Sequence, residues 1–489
     1  VLDTMVLFGK RLAEYRTWLK PNMETLQRTA NRGSISTAAY EIDNSLKFEA
    51  DNREYLRWNN ISSYASSTRK KTFSFSAWVK LAEVGSQCMI WSTAANGYLT
   101  IQASGVIKWQ QTYGGVQKTL NTNRVFRDTS AWYNIIIAVD STQSTEANRS
   151  RLYVNGVEET SFSSATYPSQ NAEAQNVYEQ HHYVGEWGGG QSGWCGYIAN
   201  PTFISDAQIT PSDVGEFDSD TGIWKPKAYS GGSAPSYFLE FQDSSDLGTA
   251  TSGLDADTLN NIAAADQATD TPTNNFCTLN PIVNFKYGTN TGGMTNGATV
   301  FGDDTGGGVG GAFGTMAVTA GKWYWEMKLT QQVSHYPGIS AVDDGDNVLA
   351  SSDPHEENST FRFNISAARR EYVNSGSQTY GSLDEFSDFH STGDIISIAL
   401  NMDDNQISIY GNGTLQSGIA NSSIFDAANK MVVPFHGTIN DEVQYNFGGY
   451  SAWTPSSAAS DANGYGNFEY APPSGYYALC TKNLAEYGG

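Results

Sequence analysis

The sequence predicts an all-β protein in which two β-sandwich domains of jelly-roll type follow one another along the chain, after a short N-terminal helix. The chain of 489 residues is rich in Gly (48), Tyr (27) and Phe (22), and only 16% of its residues are charged. This composition is typical of strands joined by many turns. Two separate stretches also alternate apolar and polar residues, as strands with one buried face do. A chain of this length exceeds one ordinary domain, so we expect at least two.

The first 35 residues differ from the rest and predict a helical segment. Apolar residues recur at steps of three and four, which places them on one helix face: Met5, Phe8, Leu12, Tyr15 and Leu19. Pro21 ends this pattern. The apolar face either packs on the chain's own sandwich or acts as an anchor or oligomerisation surface, and the sequence leaves both open.

The first sandwich is predicted over residues 40–210. Phe73–Val79 alternates strongly, which indicates a strand with one core face and one wet face. Asn155-Gly156 directly follows the apolar run Arg151–Val154. An Asn-Gly pair in that place predicts a type I′ hairpin, because both central positions of the turn need a positive φ.

A connecting region is predicted over residues 211–284, because it holds few apolar runs apart from an added strand at Tyr237–Phe241. The second sandwich is predicted over residues 285–450. Its main strand is Lys322–Leu329, and Asn412-Gly413 forms a further turn. Residues 451–489 are expected to form a C-terminal extension that packs on the sandwiches.

Charge and cysteine content narrow the classes of function. Acidic residues number 51 and basic residues 29, a net charge of −22. We expect no nucleic-acid binding, since that needs a positive patch, and no affinity for anionic membranes. No apolar run reaches the about 20 residues that span a bilayer, so membrane insertion is not expected. The apolar Met5–Phe8 stops at Gly9-Lys10-Arg11, unlike a signal peptide. The four widely spaced cysteines favour buried free thiols.

Two motifs are candidate sites on residue type alone. Trp187 and Trp194 flank a glycine-rich loop and could offer stacking surfaces to a sugar, although anchoring in the core is the simpler interpretation. Glu216, Asp218 and Asp220 alternate as the carboxylates of a retaining glucanase must, which leaves a polysaccharide hydrolase as a remote alternative. They lie outside the central strands and lack Glu at the last position, so a solvated acidic turn is the simpler interpretation.

Several segments resemble known families. Phe73–Val79, Trp132–Ile137, Arg151–Val157 and Gly196–Asn200 resemble landmark strands of the laminin-G-like, concanavalin A-like jelly roll. Gly321–Glu326, the hairpin around Ile395–Gly413 and Asn446–Gly448 resemble a SPRY domain. Three further segments resemble structural proteins of marine bacteriophages that join these two domains: Ser219–Lys227, Asp270–Pro281 and Asn467–Cys480.

The resemblance implies candidate sites and a cofactor. SPRY domains bind through variable loops, which here would present His335 and Tyr336 from one loop and Arg370 and Tyr372 from another. Laminin-G-like domains often bind calcium through acidic loops. Asp343, Asp344 and Asp346 form the best such loop, without the distal bidentate Glu of a calcium-binding EF-hand. Asp303-Asp304 and Asp403-Asp404 are further acidic turns.

The resemblance also implies a function without catalytic residues. We expect a virion-surface protein, either a tail fibre, a spike or a capsid fibre, that attaches to a host glycan or receptor. The alternative is a purely structural decoration or connector protein of the capsid or tail. Expected partners are other virion proteins, reached through the N-terminal segment, and further copies of the chain in a homo-oligomer, with a trimer favoured.

Overall fold

A computed structural model describes residues 40–488 apart from 60, 95–96, 189, 191, 288–292, 303–308, 332–333, 342–359, 375–376, 387–390, 417–421, 424–430 and 440–441. Within these residues the secondary structure is nearly all β, which confirms the predicted fold class. The predicted helix with Met5, Phe8, Leu12, Tyr15 and Leu19 lies outside the described residues, as does the acidic loop with Asp343, Asp344 and Asp346.

The first unit consists of two sheets and a separate hairpin. Its strands, in chain order, are β1 (Ser45–Phe48), β2 (Tyr55–Trp58), β3 (Thr72–Leu81), β4 (Cys88–Thr93), β5 (Gly97–Ile101), β6 (Val106–Tyr113), β7 (Val116–Val125), β8 (Trp132–Asp140), β9 (Ser150–Val154), β10 (Val157–Glu158), β11 (Phe162–Ala165), β12 (His182–Val184), β13 (Gly196–Ser205), β14 (Gly215–Phe217), β15 (Trp224–Pro226), β16 (Pro235–Phe238), β17 (Ser252–Gly253), β18 (Thr258–Asn260) and β19 (Gln267–Ala268). Sheet A has the order β10-β9-β8-β3-β13-β1-β19, with β16 on β13 and β17 on β16. Sheet B has the order β11-β7-β6-β5-β4-β12-β2-β18, and β14 pairs with β15 alone.

Aromatic side chains fill the space between sheets A and B. Phe75 on β3 stacks on Trp91 on β4, with ring centroids 5.1 Å apart. Trp91 in turn stacks on Phe203 on β13, at 5.8 Å. Because successive side chains of a strand point to opposite faces, the residues of β3 divide between this core and the outer face of sheet A.

The alternation predicted in Phe73–Val79 is present, but its second face is not wet. Ser74 and Trp78 on that face are only 0% and 5% exposed. The segment after β13 covers them: the Ser74 hydroxyl donates to the carbonyl of Ala207 (2.8 Å) and accepts from the N–H of Ile209 (3.1 Å). An alternating pattern therefore does not show that the polar face of a strand is exposed, because another segment can cover that face.

The predicted Asn-Gly turns adopt the expected backbone conformation. Asn155 and Gly156 have φ values of 49° and 78° between β9 and β10. Asn412 and Gly413 have φ values of 46° and 76°. Both residues of each pair are left-handed, as a type I′ turn requires, which fixes the register of each hairpin.

The region predicted to be a connection contributes far more than one strand. β16 pairs with β13, β18 extends sheet B on β2, and β19 pairs with β1. These strands have two to four residues each and carry no alternating pattern, so only their partners in the sheet define them. Residues 211–268 thus contribute strands to the first unit, and residues 269–278 lead from β19 to the first strand of the second unit.

The second unit also contains two sheets. Its strands, in chain order, are β20 (Leu279–Tyr287), β21 (Met294–Thr295), β22 (Val300–Gly302), β23 (Val309–Gly314), β24 (Lys322–Leu329), β25 (Ser334–Ala341), β26 (Thr360–Asn364), β27 (Arg369–Asn374), β28 (Ser377–Tyr380), β29 (Ile395–Asn401), β30 (Gln406–Gly411), β31 (Thr414–Leu415), β32 (Ser422–Ser423), β33 (Val432–Ile439), β34 (Glu442–Asn446) and β35 (Tyr477–Ala478). Sheet C has the order β20-β23-β33-β25-β26-β27-β28. Sheet D has the order β21-β22-β34-β24-β29-β30-β31, with β32 on β30 and β35 on β24. Trp323, Trp325 and Met327 of β24 belong to the core of this unit.

Helices are few in the described part of the chain. The α-helices there are α1 (Ser67–Lys71) and α2 (Thr481–Tyr487), and four short 3₁₀-helices occur at Ser62–Tyr64, Glu146–Arg149, Pro211–Asp213 and Ala264–Asp266. None of the helices in these residues is long and apolar enough to cross a membrane. The C-terminal extension packs on sheet D, where β35 runs parallel to β24.

Candidate functional site

Trp187 lies in the loop that follows β12 of sheet B and is partly exposed. Its indole N–H donates to the carbonyl of Ala94 (3.0 Å), and its ring is tilted against Tyr98 with centroids 5.6 Å apart. The ammonium of Lys108 lies 5.2 Å from the centre of the Tyr98 ring. We call Tyr98, Lys108 and Trp187 the Trp187 corner. Aromatic faces beside a polar side chain can stack on the apolar face of a sugar and orient its hydroxyls.

An ion pair between the exposed Arg53 and the buried Glu186 fixes the loop that carries Trp187. Arg53 donates from Nε (3.0 Å) and Nη2 (2.7 Å) to Oε1 of Glu186. Burial raises the pKa of Glu186, and the adjacent guanidinium opposes that rise. Glu186 also forms a bridge with Gly193, which closes the loop into a narrow hairpin. The ion pair and the bridge therefore hold the turn from which the Trp187 ring projects.

Trp194, predicted to present the second stacking ring, is buried in the core of the first unit with 0% exposure. The prediction of an exposed pair is wrong for this residue. Gly193 lies against Ala50 so closely that a Cβ there would be 2.7 Å from the Ala50 Cα. The glycine lets the two backbones approach, and this contact directs Trp194 inward.

His335 and Tyr336 do not lie on a loop, which corrects the prediction made for them. They belong to β25, which pairs with β33 along its whole length, and they are 0% and 8% exposed. His335 Nδ1 lies 3.5 Å from His436 Nε2. The SPRY resemblance implied a loop here. β26 begins to pair only at Gly338, so the missing N–H of Pro337 costs no hydrogen bond to that strand.

Arg370 and Tyr372 lie on β27 and not on a variable loop, so this prediction is also corrected. Arg370 holds Glu385 in a two-point ion pair, with Nε–Oε2 at 3.0 Å and Nη2–Oε1 at 2.9 Å. The ring of Tyr372 is 39% exposed and lies parallel to Phe361 at 6.2 Å. Of the four residues proposed for this face, Tyr372 is the one most open to a partner.

The acidic candidates that can be located serve structural roles. Asp403 accepts the N–H of Gly321 (2.7 Å), and Asp404 accepts the amide of Asn401 (2.8 Å). In the described part of the chain no three His, Cys, Asp or Glu side chains are grouped as metal ligands. Asp343, Asp344 and Asp346 lie outside it, so calcium binding there stays a prediction.

The alternating carboxylates of the hydrolase alternative surround a lysine. Glu216 and Asp218 both pair with Lys225, at 3.4 and 3.3 Å. Hydrogen bonds from Thr221 and Asp220 lower the pKa of Asp218 to about 2. A general acid for glycoside hydrolysis needs a raised pKa, so the chemistry of this turn is unsuited to that role.

A set of buried polar contacts joins the first unit to the segment that leads into the second, and no sequence motif predicts it. Lys80 on β3 contacts Asp270 Oδ2 (2.6 Å), Asn275 Oδ1 (2.7 Å) and the carbonyl of Phe276 (2.8 Å). Trp132 donates to the other carboxylate oxygen at 3.1 Å. Phe276 then forms a bridge with Cys480 in the extension. We call these contacts the Lys80 seam.

A second cluster crosses the same boundary. Lys47 pairs with Glu54 and Asp266, both at 2.9 Å, and its ammonium lies 5.7 Å from the centre of the Tyr450 ring. The Tyr197 hydroxyl donates to the carbonyl of Gly297 (2.8 Å). A buried lysine with two carboxylates within 3 Å forms a fixed structure, because breaking it would leave an uncompensated charge.

The described fold and the Trp187 corner define a protein of two joined β-sandwich units. Residues 51–214 match the family model described as the concanavalin A-like lectin/glucanases superfamily, which covers about a third of the chain. The first unit is therefore a concanavalin A-like domain, as predicted. No curated protein matches the chain.

Solved structures with some similarity to the chain share little sequence with it. The mouse laminin alpha1 chain domains LG4-5 are 11% identical, with 86% of each chain covered and a TM-score of 0.29. The SPRY domain of human HERC1 is 18% identical, with 34% of this chain and 96% of that chain covered and a TM-score of 0.25. A SAP-like pentraxin from Limulus polyphemus is 13% identical, with 35% and 80% covered and a TM-score of 0.25.

Proposed function

We propose that this chain is a non-enzymatic bacteriophage protein of the virion surface, a tail fibre, spike or capsid fibre, that attaches to a glycan or receptor on the host. The observation that carries the attachment role is the Trp187 corner. It places a partly exposed indole beside Tyr98 and Lys108 on a turn fixed by the Arg53–Glu186 pair. The corner lies within the residues that match the lectin-containing superfamily.

The phage origin draws support from where the three phage-like segments lie. Asp270–Pro281 contains the carboxylate of the Lys80 seam, and Asn467–Cys480 contains the bridge partner of Phe276. In Ser219–Lys227, Trp224 donates to Asn134 on β8 at 3.2 Å. The segments that resemble phage proteins thus lie where connecting regions contact the two sandwiches. In this proposal the N-terminal segment contacts other virion subunits and the chain forms a homo-oligomer, with a trimer favoured.

The attachment role is tested with a Trp187→Ala variant of the full chain. We expect the wild type to bind host cells and host-surface polysaccharide, and the variant to bind at least about ten-fold more weakly, because the stacking face is lost. Tyr380→Ala removes an exposed aromatic ring of the second unit that is not a binding candidate and is the matched control, with binding unchanged. Unfolding temperatures of all three proteins would be compared.

Two results would contradict attachment through this corner: no binding of host cells by the wild type, or equal binding by Trp187→Ala. Immunogold electron microscopy of phage particles tests the location independently. Label on tail or capsid surfaces supports it, and label absent from particles contradicts it.

The second candidate function is a purely structural connector of the capsid or tail. The Lys80 seam favours it, because its buried contacts hold the segment that leads from the first unit into the second and so resist separation of the units. Loss of particle integrity in phage that lack this chain, without loss of adsorption by the remaining intact particles, would favour the connector over the attachment protein.

A further inference from the structure

An open groove lies between the end of the first unit and the start of the C-terminal extension. Its volume is about 460 Å³, within the roughly 300–1,000 Å³ typical of small-molecule sites. One wall includes Ala264 and Gln267, the other Thr454 and Asn467, and Tyr450 and Trp453 are the aromatic residues that line it. The groove is distant in sequence from the Trp187 corner and outside the family-matched residues.

The lining of the groove is neutral, although the chain carries a net charge of −22. No charged side chain lines it among the described residues, and its polar groups are hydroxyls, amides and backbone. Beneath Tyr450, the ammonium of Lys47 is paired with Asp266 at 2.9 Å. A charged ligand would find no counter-charge here, so the lining selects a neutral one.

In the described part of the chain, backbone hydrogen bonds connect the segments that line the groove and leave the side chains of Thr454 and Asn467 unused. The N–H of Thr269 donates to the carbonyl of Gly449 at 2.9 Å, and the N–H of Asn467 donates to the carbonyl of Gly448 at 3.0 Å. In the described residues, the side chains of Thr454 and Asn467 form no hydrogen bond, and both are exposed. They are available to a ligand in a site that needs no rearrangement, which lowers the entropic cost of binding.

The indole N–H of Trp453 is a further polar group that a ligand in the groove could use. The side chain is 8% exposed, and its indole N–H has no acceptor within the described structure. A buried donor without a partner is energetically unfavourable, so a ligand that accepts from it gains a hydrogen bond. A site that combines two aromatic residues, free amide and hydroxyl groups and no charge is suited to a ligand with an apolar ring face and many hydroxyls.

We propose that this groove binds a neutral mono- or disaccharide. The aromatic residues Tyr450 and Trp453 contact the sugar ring, and Thr454 and Asn467 bind its hydroxyls. This inference does not rest on the Trp187 corner, and it holds whether or not the chain is a virion protein.

The test uses the full chain and isothermal titration with neutral methyl glycosides of glucose, galactose and mannose and their disaccharides. Ala264→Trp places a large ring in the groove from an exposed position, and we expect it to weaken binding at least ten-fold. Ala165→Trp, at an exposed position on β11, is the matched control and should bind as the wild type does. Asn467→Ala is a second variant at an exposed position, and we expect about five-fold weaker binding.

The outcomes are distinct. Loss of binding in Ala264→Trp and Asn467→Ala, with Trp187→Ala and Ala165→Trp unaffected, supports the groove. Should Ala264→Trp fail to fold, Asn467→Ala decides alone. The proposal is overturned if none of these neutral sugars binds, or if both groove variants bind as tightly as the wild type. Loss of sugar binding in Trp187→Ala alone would also overturn it, while supporting attachment through the corner.

Discussion

His182 is a histidine enclosed by aromatic rings in the core of the first unit. It is 0% exposed, its Nε2 lies 2.6 Å from the carbonyl of Val177, and its ring meets Phe203 edge-on at 4.7 Å. Burial lowers the pKa of His182 to about 4. The neutral form is the one that the fold accommodates, since a charge in this core would be far from water.

This burial predicts a pH dependence of stability. An exposed histidine in the unfolded chain titrates near 6.5, so the unfolded state takes up the proton first as pH falls. The contribution of neutral His182 is complete above about pH 6.5 and is lost between about 6.5 and 4, at about 1.4 kcal/mol per pH unit. His182→Phe should therefore show a shallower fall of the unfolding free energy over this range, measured by denaturant titration.

His181 provides the control for that measurement, because it neighbours His182 and is partly exposed. His181→Phe should keep the wild-type slope. Equal slopes in wild type and His182→Phe would show that His182 is not the group that titrates.

The four cysteines are predictable residues of the core. All are buried and free, as expected from their wide spacing. Burial raises the pKa of the Cys88 thiol to about 12 and that of Cys277 to about 11, so both stay protonated at neutral pH. They act as small apolar side chains and are poor nucleophiles.

At the scale of elements, β24 holds the C-terminal extension through one carboxylate. Glu326 accepts the N–H of Tyr470 (2.8 Å), the N–H of Glu469 (2.8 Å) and the hydroxyl of Tyr324 (3.0 Å). Burial raises the pKa of Glu326 to about 7, and the two backbone donors oppose that rise. The carboxylate is thus the acceptor that the backbone of the extension needs.

Replacing this carboxylate by an amide should loosen the extension. In Glu326→Gln the amide nitrogen would face one backbone N–H, leaving a buried donor unpaired at about 1–3 kcal/mol. We expect that loss in the unfolding free energy at pH 8, together with faster hydrogen exchange over residues 469–488. Glu486→Gln, an exposed change of the same kind, should alter neither. Unchanged exchange in Glu326→Gln would contradict this role.

The strands that sequence could predict were those with a strong local pattern. Phe73–Val79 and the Asn155-Gly156 turn carry their own signals of alternation and positive φ. β18 and β19 carry none, because two- and three-residue strands are defined by the sheet edges they join. His335 and Tyr336 of β25 were expected on a loop because of the SPRY resemblance, which does not fix where a loop begins; the strand is defined by its pairing with β33.

The candidate site was predictable only where a local sequence motif marks it. Trp187 followed from a local motif, whereas Trp194 depended on the contact of Gly193 with Ala50, far away in sequence. Tyr450 and Trp453 stand singly in a stretch of small residues. The groove that they line exists only because residues 263–269 fold against them.

At the scale of the whole molecule, the Lys80 seam couples the two units. Lys80 and Asp270 each have only 1% of their side chain exposed. Lys80→Met leaves Asp270 buried without its partner, which should cost about 3–5 kcal/mol. We expect calorimetry to show a lower unfolding temperature, with separate transitions for the two units.

The double variant Lys80→Met/Asp270→Asn removes both charges and should recover much of the lost stability. Lys70→Met breaks the more exposed pair with Glu179 and should cost about 0–1 kcal/mol. If Lys80→Met costs no more than Lys70→Met, the seam does not couple the units.

Glu41 and Lys482 form an ion pair of 2.8 Å, so the first and last described segments lie side by side. A pull applied through both segments would load this ion pair together with the neighbouring hydrogen bonds of Ile42 to Thr273. In the proposed attachment role, a cell held at the Trp187 corner would load the first unit, which carries the corner.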